Sequence, residues 1–287
     1  MKERKETGLI LGIIYSEISF GIRFLNILAY LKKGIEKVVN SILSNKKKIK
    51  HTNTKKLLIN ALVIENYPLF MSDYINQRRE ELHKEASNIF KIQGLIQQAQ
   101  NCKDYLARLA HFQSYDRKEC NAVIISYQRC PEEFWEWVID LTQANMKAIY
   151  QKAWGWNEQA KQQELLEDGA RYLIAISGER PIGFVHFRFE QQDGEFVLYI
   201  FDIQIEDNYQ RKGLGRYMID ALWFVGLEKK VSCLMTLVFK NNDAGLKFFK
   251  TIGFEPHRMS PEQLFPEKEN EYQHVILFKH VGRKGKK

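Results

Sequence analysis

Residues 195–216 read Glu195-Phe196-Val197-Leu198-Tyr199-Ile200-Phe201-Asp202-Ile203-Gln204-Ile205-Glu206-Asp207-Asn208-Tyr209-Gln210-Arg211-Lys212-Gly213-Leu214-Gly215-Arg216. The first part, to Glu206, is rich in β-branched and aromatic residues and reads as a strand; an apolar helix follows the glycines and continues to about Lys229. Between them lies Gln210-x-x-Gly213-x-Gly215. Two glycines two residues apart let successive backbone N–H groups point into one concavity, and the helix brings its positive N-terminal end to the same place. Arg211, Lys212 and Arg216 add charge, so the turn suits a pyrophosphate. A Gly-x-Gly turn alone more often just joins two elements. A Walker loop is excluded because Gly-Lys-Ser/Thr is missing, and a dinucleotide fingerprint is disfavoured because Met218 stands where a third glycine belongs.

Working outward, Arg171–Ser177 and Pro181–Glu190 read as strands that form an antiparallel meander with Glu195–Glu206, with Gly178 and Asp193-Gly194 at the turns. Upstream, Arg78–Phe112 reads as helical, Ala122–Tyr127 as a short strand and Pro131–Ala153 as a long helix ending in Trp154-Gly155-Trp156. Downstream come a strand (Cys233–Phe239), a helix (Asn241–Ile252) and a final strand (Glu271–Lys279). The fold class is therefore α/β in the α+β sense, a mixed and mostly antiparallel sheet flanked by helices. The expected organisation is a basic, partly apolar extension (1–60), a helical segment packing on the body (61–120), the main domain (121–280) and a basic tail (281–287).

Charge is unevenly placed. Residues 1–60 carry 13 Lys/Arg against 4 Asp/Glu and the tail adds four more basic residues, leaving a middle with 26 basic and 31 acidic residues. A mildly acidic body favours a basic partner over nucleic acid. Cys102, Cys120, Cys130 and Cys233 show neither metal-ligand spacing nor a disulfide framework, so no metal is expected and the thiols are expected reduced. Leu9–Leu31 has membrane-spanning length, but Glu17 and Arg23 each cost about 2.5 to 3.5 kcal/mol at a helix centre, which disfavours a stable span and leaves an interfacial helix or a plain extension open. Lys46-Lys47-Lys48-Ile49-Lys50 with Lys55-Lys56 suits nuclear import or a solvated linker.

Gln210-Arg211-Lys212-Gly213-Leu214-Gly215 resembles the Arg/Gln-x-x-Gly-x-Gly/Ala pyrophosphate loop of the GNAT acetyltransferases. Asn242-Asp243-Ala244-Gly245, through Phe248-Phe249 to Gly253-Phe254, resembles their second acetyl-CoA motif. The two stand in the family's order and distance. Trp154-Gly155-Trp156, His186-Phe187-Arg188-Phe189, Val197-Leu198-Tyr199 and Val238-Phe239-Lys240 extend the likeness, from about Phe90 to Lys279, to the D-type N-α-acetyltransferases that act on histone tails beginning Ser-Gly-Arg-Gly.

The resemblance implies an acetyl-CoA N-acyltransferase fold, acetyl-CoA as cosubstrate, histone tails as partners, a monomer, and residence in nucleus and cytoplasm. It implies that backbone groups of Ile203, Gln204 and Ile205 hold the pantetheine arm and that Arg211, Lys212, Gly213, Leu214, Gly215 and Arg216 cradle the pyrophosphate, with Asn242 near the cofactor. Tyr150, Trp154, Glu190, Gln192, Tyr199, Phe201, Leu237 and Tyr272 fall on the substrate pocket. Asp202 stands where the family has its general base, with Tyr199 and Trp154 beside it at the reaction centre. Such a base is needed because an α-amine, with a pKa of about 7.7 to 8.0, is mostly ammonium near neutral pH and must lose a proton to attack a thioester. Four departures from the family stand out: Phe201 for tyrosine, Asp202 for glutamate, Gln192 for an acid, and Leu237 for threonine, which appears next door as Thr236.

Duller readings stand beside these. Tyr199 and Phe201 share a strand face and fit a core stripe, while Asp202 alternates to the opposite face, so only a bulge or splay aims both sets at one site. His186 on an apolar strand fits a core histidine, and the tryptophans fit packing anchors. A GNAT enzyme for another amine, and a non-catalytic acetyl-CoA-binding module, remain as alternatives.

Overall fold

The structure, a computed structural model, describes residues 76, 77, 79–81 and 83–282. The apolar stretch 9–31, the lysine cluster at 46–56 and all but the first two residues of the basic tail lie outside the described residues. No helix among those described is long and apolar enough to cross a membrane. The chain divides into two units between Glu85 and Ala86, and the larger, beginning at Ala86, holds the sheet and the site.

That unit opens with helix α1, covering 86–100, and builds one eight-stranded sheet. The strands are β1 (Ser114–Arg117), β2 (Cys120–Tyr127), β3 (Arg171–Ser177), β4 (Arg180–Gln192), β5 (Glu195–Ile205), β6 (Cys233–Phe239), β7 (Glu255–Pro256) and β8 (His274–His280), in the order β1-β2-β3-β4-β5-β6-β8-β7. Every neighbouring pair is antiparallel except β5 and β6, which run parallel. The helices are α2 (Trp135–Ala153, after a 3-10 turn at Glu132–Phe134), α3 (Glu158–Leu165), α4 (Leu214–Lys229), α5 (Asp243–Thr251) and α6 (Pro261–Leu264).

The two sheet faces bury different sets. Leu173, Val185, Phe187, Leu198 and Ile200 pack with Ile92 and Ala99 of α1, Met218 and Leu222 of α4 and Phe249 of α5 in the main core. Tyr172, Ile174 and Phe184 pack on the other face with Val138 of α2 and Leu165 of α3. Asn157 caps α3 by accepting from the Ala160 N–H at 3.0 Å, and Asn242 caps α5 by accepting from the Gly245 N–H at 2.9 Å.

Several boundaries differ from the sequence reading. The helix expected to reach Phe112 stops at 100, and residues 114–117 form the edge strand of a hairpin, so the sheet begins ahead of the boundary expected at 121. Ser114-Tyr115-Asp116-Arg117 has no apolar alternation because only Tyr115 faces inward. Helix α3, with one buried apolar side chain, escaped notice for the same reason. The last strand starts at His274, after a 3-10 stretch over Pro266–Glu271.

The glycines of the turn do different jobs. Gly213 takes φ +97°, which side chains rarely adopt, whereas Gly215 lets α4 approach β5: a Cβ there would sit 3.1 Å from Ile205 Cδ1 and 3.4 Å from Ile203 Cδ1. Gly215→Val therefore overpacks the helix–strand contact. We expect it to lower unfolding free energy by about 1–3 kcal/mol in urea titration, against no change if the contact tolerates bulk.

Candidate active site

Strand β5 carries the centre of the site, and its register on β4 decides what faces what. Tyr199 lies opposite Arg188 and Ile200 opposite Phe187, but Asp202 lies opposite His186, so Phe201 has no partner across the ladder. This is a β-bulge. His186 and Arg188, two residues apart on β4, share a face, so Tyr199 and Asp202, three apart on β5, share it too. The extra residue thus brings to one face the side chains that regular alternation would separate. Phe201 fills the bend: its ring lies 4.9 Å from Tyr199 and 5.1 Å from His186, with the Arg188 guanidinium 4.2 Å above it.

On that face Asp202 is 5% exposed and both its oxygens are engaged. Oδ2 accepts from Lys161 Nζ at 2.9 Å, and Oδ1 accepts from Gln204 Nε2 at 3.3 Å. Lys161, 7% exposed, also donates to Glu164 Oε1 at 2.5 Å and to the Tyr150 hydroxyl at 3.5 Å. Burial opposes both charges, yet each overcomes it through the other: Lys161 holds the Asp202 carboxyl far below the usual carboxylate range, and Asp202 raises the Lys161 ammonium above that of an ordinary lysine. His186 Nδ1 lies 3.5 Å from Asp202 Oδ2, but burial lowers the imidazole pKa, so near neutral pH it is uncharged and Lys161 is the charged partner. Glu164, His186 and Asp202 each offer a ligand atom within 4.8 Å of one another, but the cation between the two carboxylates is the Lys161 ammonium.

The cleft lies where β5 leaves β6. The parallel pairing joins only Leu198–Ile200 to Leu234–Thr236, although β5 continues to Ile205 and β6 to Phe239. Past Ile200 the two strands are no longer paired, so the backbone of 203–205 has no β6 partner. The Ile205 carbonyl there is already taken, accepting from Gln210 Nε2 at 2.9 Å and Asn145 Nδ2 at 3.3 Å. Next to the cleft, α4 starts at Leu214 with no side chain capping it, so its first N–H groups are free for an anion beside Arg211, Lys212 and Arg216.

The remaining side chains gather unevenly. Tyr150 and Trp154 both pack edge-on against Phe239, at 4.7 and 4.8 Å, and Trp154 is 56% exposed. Glu190 accepts from Gln192 Nε2 at 2.9 Å. Burial pushes the Tyr199 hydroxyl pKa up, with Glu190, Glu164 and Tyr150 adding to the shift. Tyr272 stacks on Phe265 at 6.0 Å and approaches the other aromatics only through His274. Thr236 is buried in the sheet and Leu237 half-buried beside it.

Residues 132–254, from the 3-10 turn before α2 to the end of the α5 region, match the model of the acetyltransferase (GNAT) family. That stretch is similar to a GNAT acetyltransferase domain. Among solved structures the chain is similar to the ribosomal-protein-S18-alanine N-acetyltransferase from Escherichia coli, with 16% identity over 57% of this chain and 97% of that one and a TM-score of 0.40. It is similar to Ard1 from Thermoplasma volcanium, with 14% identity, 56% and 99% coverage and a TM-score of 0.42. It is also similar to the PaiA N-acetyltransferase from Thermoplasma acidophilum in complex with coenzyme A, with 14% identity, 55% and 98% coverage and a TM-score of 0.41.

Acetyl-CoA is the cosubstrate of the GNAT family, and the residues present fit it. The N-terminus of α4 is uncapped beside Arg211, Lys212 and Arg216, and past Ile200 the backbone of β5 has no β6 partner. The bulge on β5 and the partners of Asp202 were not visible in the residue pattern. Lys161 was missed because lysine is by default an exposed residue, and its spacing to Leu165 in α3 is the one hint that it points inward.

The Asp202–Lys161 pair gives a stability prediction. Asp202 is depressed and Lys161 raised, so their contribution is complete between the unfolded values of about 3.9 and 10.4; it is lost as pH falls through the folded value of Asp202 or rises through that of Lys161. Lys161→Met leaves a buried carboxylate without its counter-charge and should cost about 3–5 kcal/mol at pH 9, and less at pH 6, because burial then raises the Asp202 pKa and a bound proton relieves the charge. Adding Asp202→Leu to it should recover most of that loss in urea unfolding. A single variant as stable as the parent would show that the pair is not buried as described.

Proposed function

We propose that this GNAT domain transfers acetyl from acetyl-CoA to the free α-amino group of a protein N-terminus, and that its substrates are histone tails beginning Ser-Gly-Arg-Gly. The observation that carries the reading is the bulge at Phe201, which sets Tyr199 and Asp202 on one face, with Tyr150 linked to them through Lys161, where β5 and β6 part. Aromatic walls suit an extended peptide, and a face on which two cations, Lys161 and Arg188, are outnumbered by the carboxylates of Asp202, Glu164, Glu167 and Glu190 suits a basic tail. The likeness to the D-type enzymes supports the histone assignment.

When bound, acetyl-CoA supplies the acetyl group as a thioester. In this reading the backbone of 203–205 aligns the pantetheine arm and the turn at 211–216 holds the pyrophosphate. Tyr199, Tyr150 and Trp154 confine the terminal residue so that its nitrogen approaches along one line. Asp202, kept ionised by Lys161, is a fixed negative charge that stabilises the positive charge growing on the attacking nitrogen. A carboxyl held so far below its usual range keeps a proton poorly, so the amine proton would leave through water on the open side of the cleft; as the C–N bond forms the C–S bond would break, and the departing thiolate would take up a proton from the same water.

Acetyl transfer to two peptides tests the reading, one beginning Ser-Gly-Arg-Gly and one with its α-amine blocked and its lysines free. We expect transfer to the free terminus alone, with kcat/KM rising with pH up to about 8 as the amine loses its proton. Transfer to the blocked peptide would reassign the domain to lysine side chains. No transfer to either, with acetyl-CoA still bound, would favour a different amine or a non-catalytic acetyl-CoA module.

A further inference from the structure

Strand β1 lies at the edge of the sheet, outside the stretch that matches the family, and only one of its four side chains is buried. That residue, Tyr115, packs its ring against Tyr217 of α4 at 5.0 Å and donates its hydroxyl to the carbonyl oxygen of Lys212 at 2.6 Å. Two further links join the β1–β2 hairpin region to the turn. Tyr217 donates its own hydroxyl to the carbonyls of Ser114, at 2.9 Å, and His111, and Lys212 Nζ donates to the Glu119 carbonyl at 3.5 Å.

The Lys212 carbonyl shares a peptide unit with the Gly213 N–H. In a trans peptide the two point in opposite directions, and no cis bond occurs among the described residues. A hydrogen bond that fixes the carbonyl toward Tyr115 therefore aims the Gly213 N–H away from β1. The turn needs such a restraint: Arg211 sits at φ +60° and Gly213 at +97°, and a non-glycine residue in the left-handed region costs roughly 1–2 kcal/mol. The fit is close enough that a Cβ on Gly213 would lie 2.7 Å from the Tyr115 hydroxyl.

We propose that Tyr115 is a positioning residue for acetyl-CoA: its hydroxyl locks the Lys212–Gly213 peptide so that the Gly213 N–H faces the pyrophosphate. The proposal rests on the reading of residues 211–216 as the pyrophosphate turn. It gives the hairpin outside the family match a part in cofactor binding, through a side chain that never touches the reacting atoms.

Tyr115→Phe keeps the ring and removes the hydrogen bond. The test compares acetyl-CoA with S-acetylpantetheine, the same thioester without the pyrophosphate, on parent and variant. The expected result is a roughly three- to tenfold rise in the calorimetric Kd and in the KM for acetyl-CoA, the size of one lost hydrogen bond. Saturated kcat and kcat/KM for S-acetylpantetheine should stay at parental values, and the melting temperature should fall by no more than the few degrees that one hydrogen bond is worth. An unchanged Kd for acetyl-CoA overturns the proposal. So does an equal loss with both donors, which would make Tyr115 a support for the sheet alone. Failure of the parent itself to bind acetyl-CoA would instead remove the assignment of the turn, and the proposal with it.

Discussion

Side chains on a β-strand alternate with period two, and two of them three residues apart reach one face only where that period is broken. Strand β5 breaks it at Phe201, where one residue without a partner on β4 shifts the ladder. Ile203 and Ile205 beyond the bulge still pack into the core beneath α4, while Asp202 and Gln204 turn to the face of α2 and α3. The close approach of α4 over Gly215, the parting of β5 from β6 and the meeting of Tyr199 with Asp202 all lie within a few residues of this one irregularity. Straightening it would send Asp202 toward the hydrocarbon side of the sheet.

The second constraint is electrostatic. A carboxylate taken this far out of water survives only with partners, and Asp202 has them on both oxygens. The partner on Oδ2 comes from α3, a short helix with only Lys161 and Leu165 buried, so the ion pair that keeps Asp202 charged also anchors the helix that follows Trp154-Gly155-Trp156. Glu167 and the Glu164 carbonyl, at the end of that helix and just beyond it, accept in turn from Arg188. Charge at the site and the placement of its rim are thus coupled through the same few contacts.

The strand, the turn with its two glycines and the helix after it were legible in the sequence because each is a local matter: apolar periodicity, positive φ and a helix start are written in neighbouring residues. The three-stranded meander and the caps at Asn157 and Asn242 belong to the same class of local signals, although the asparagines carried no capping assignment from sequence. What escaped was non-local. A bulge adds one residue to a pattern that reads as uninterrupted strand, and only the partner strand reveals it. Lys161 and Asp202 are 41 residues apart and meet by topology. Tyr115, 97 residues from Lys212, lay in a stretch whose polar neighbours hid a strand.

The most direct test is a crystal structure with coenzyme A bound. The pantetheine arm should lie along residues 203–205 in the gap between β5 and β6, the pyrophosphate on the N–H groups at Gly213–Arg216, and the sulfur end beside the bulge, with Tyr199 and Asp202 on one face. A regular ladder through Phe201, with Asp202 turned to the α4 side, or coenzyme A bound away from this gap, would contradict the assignment.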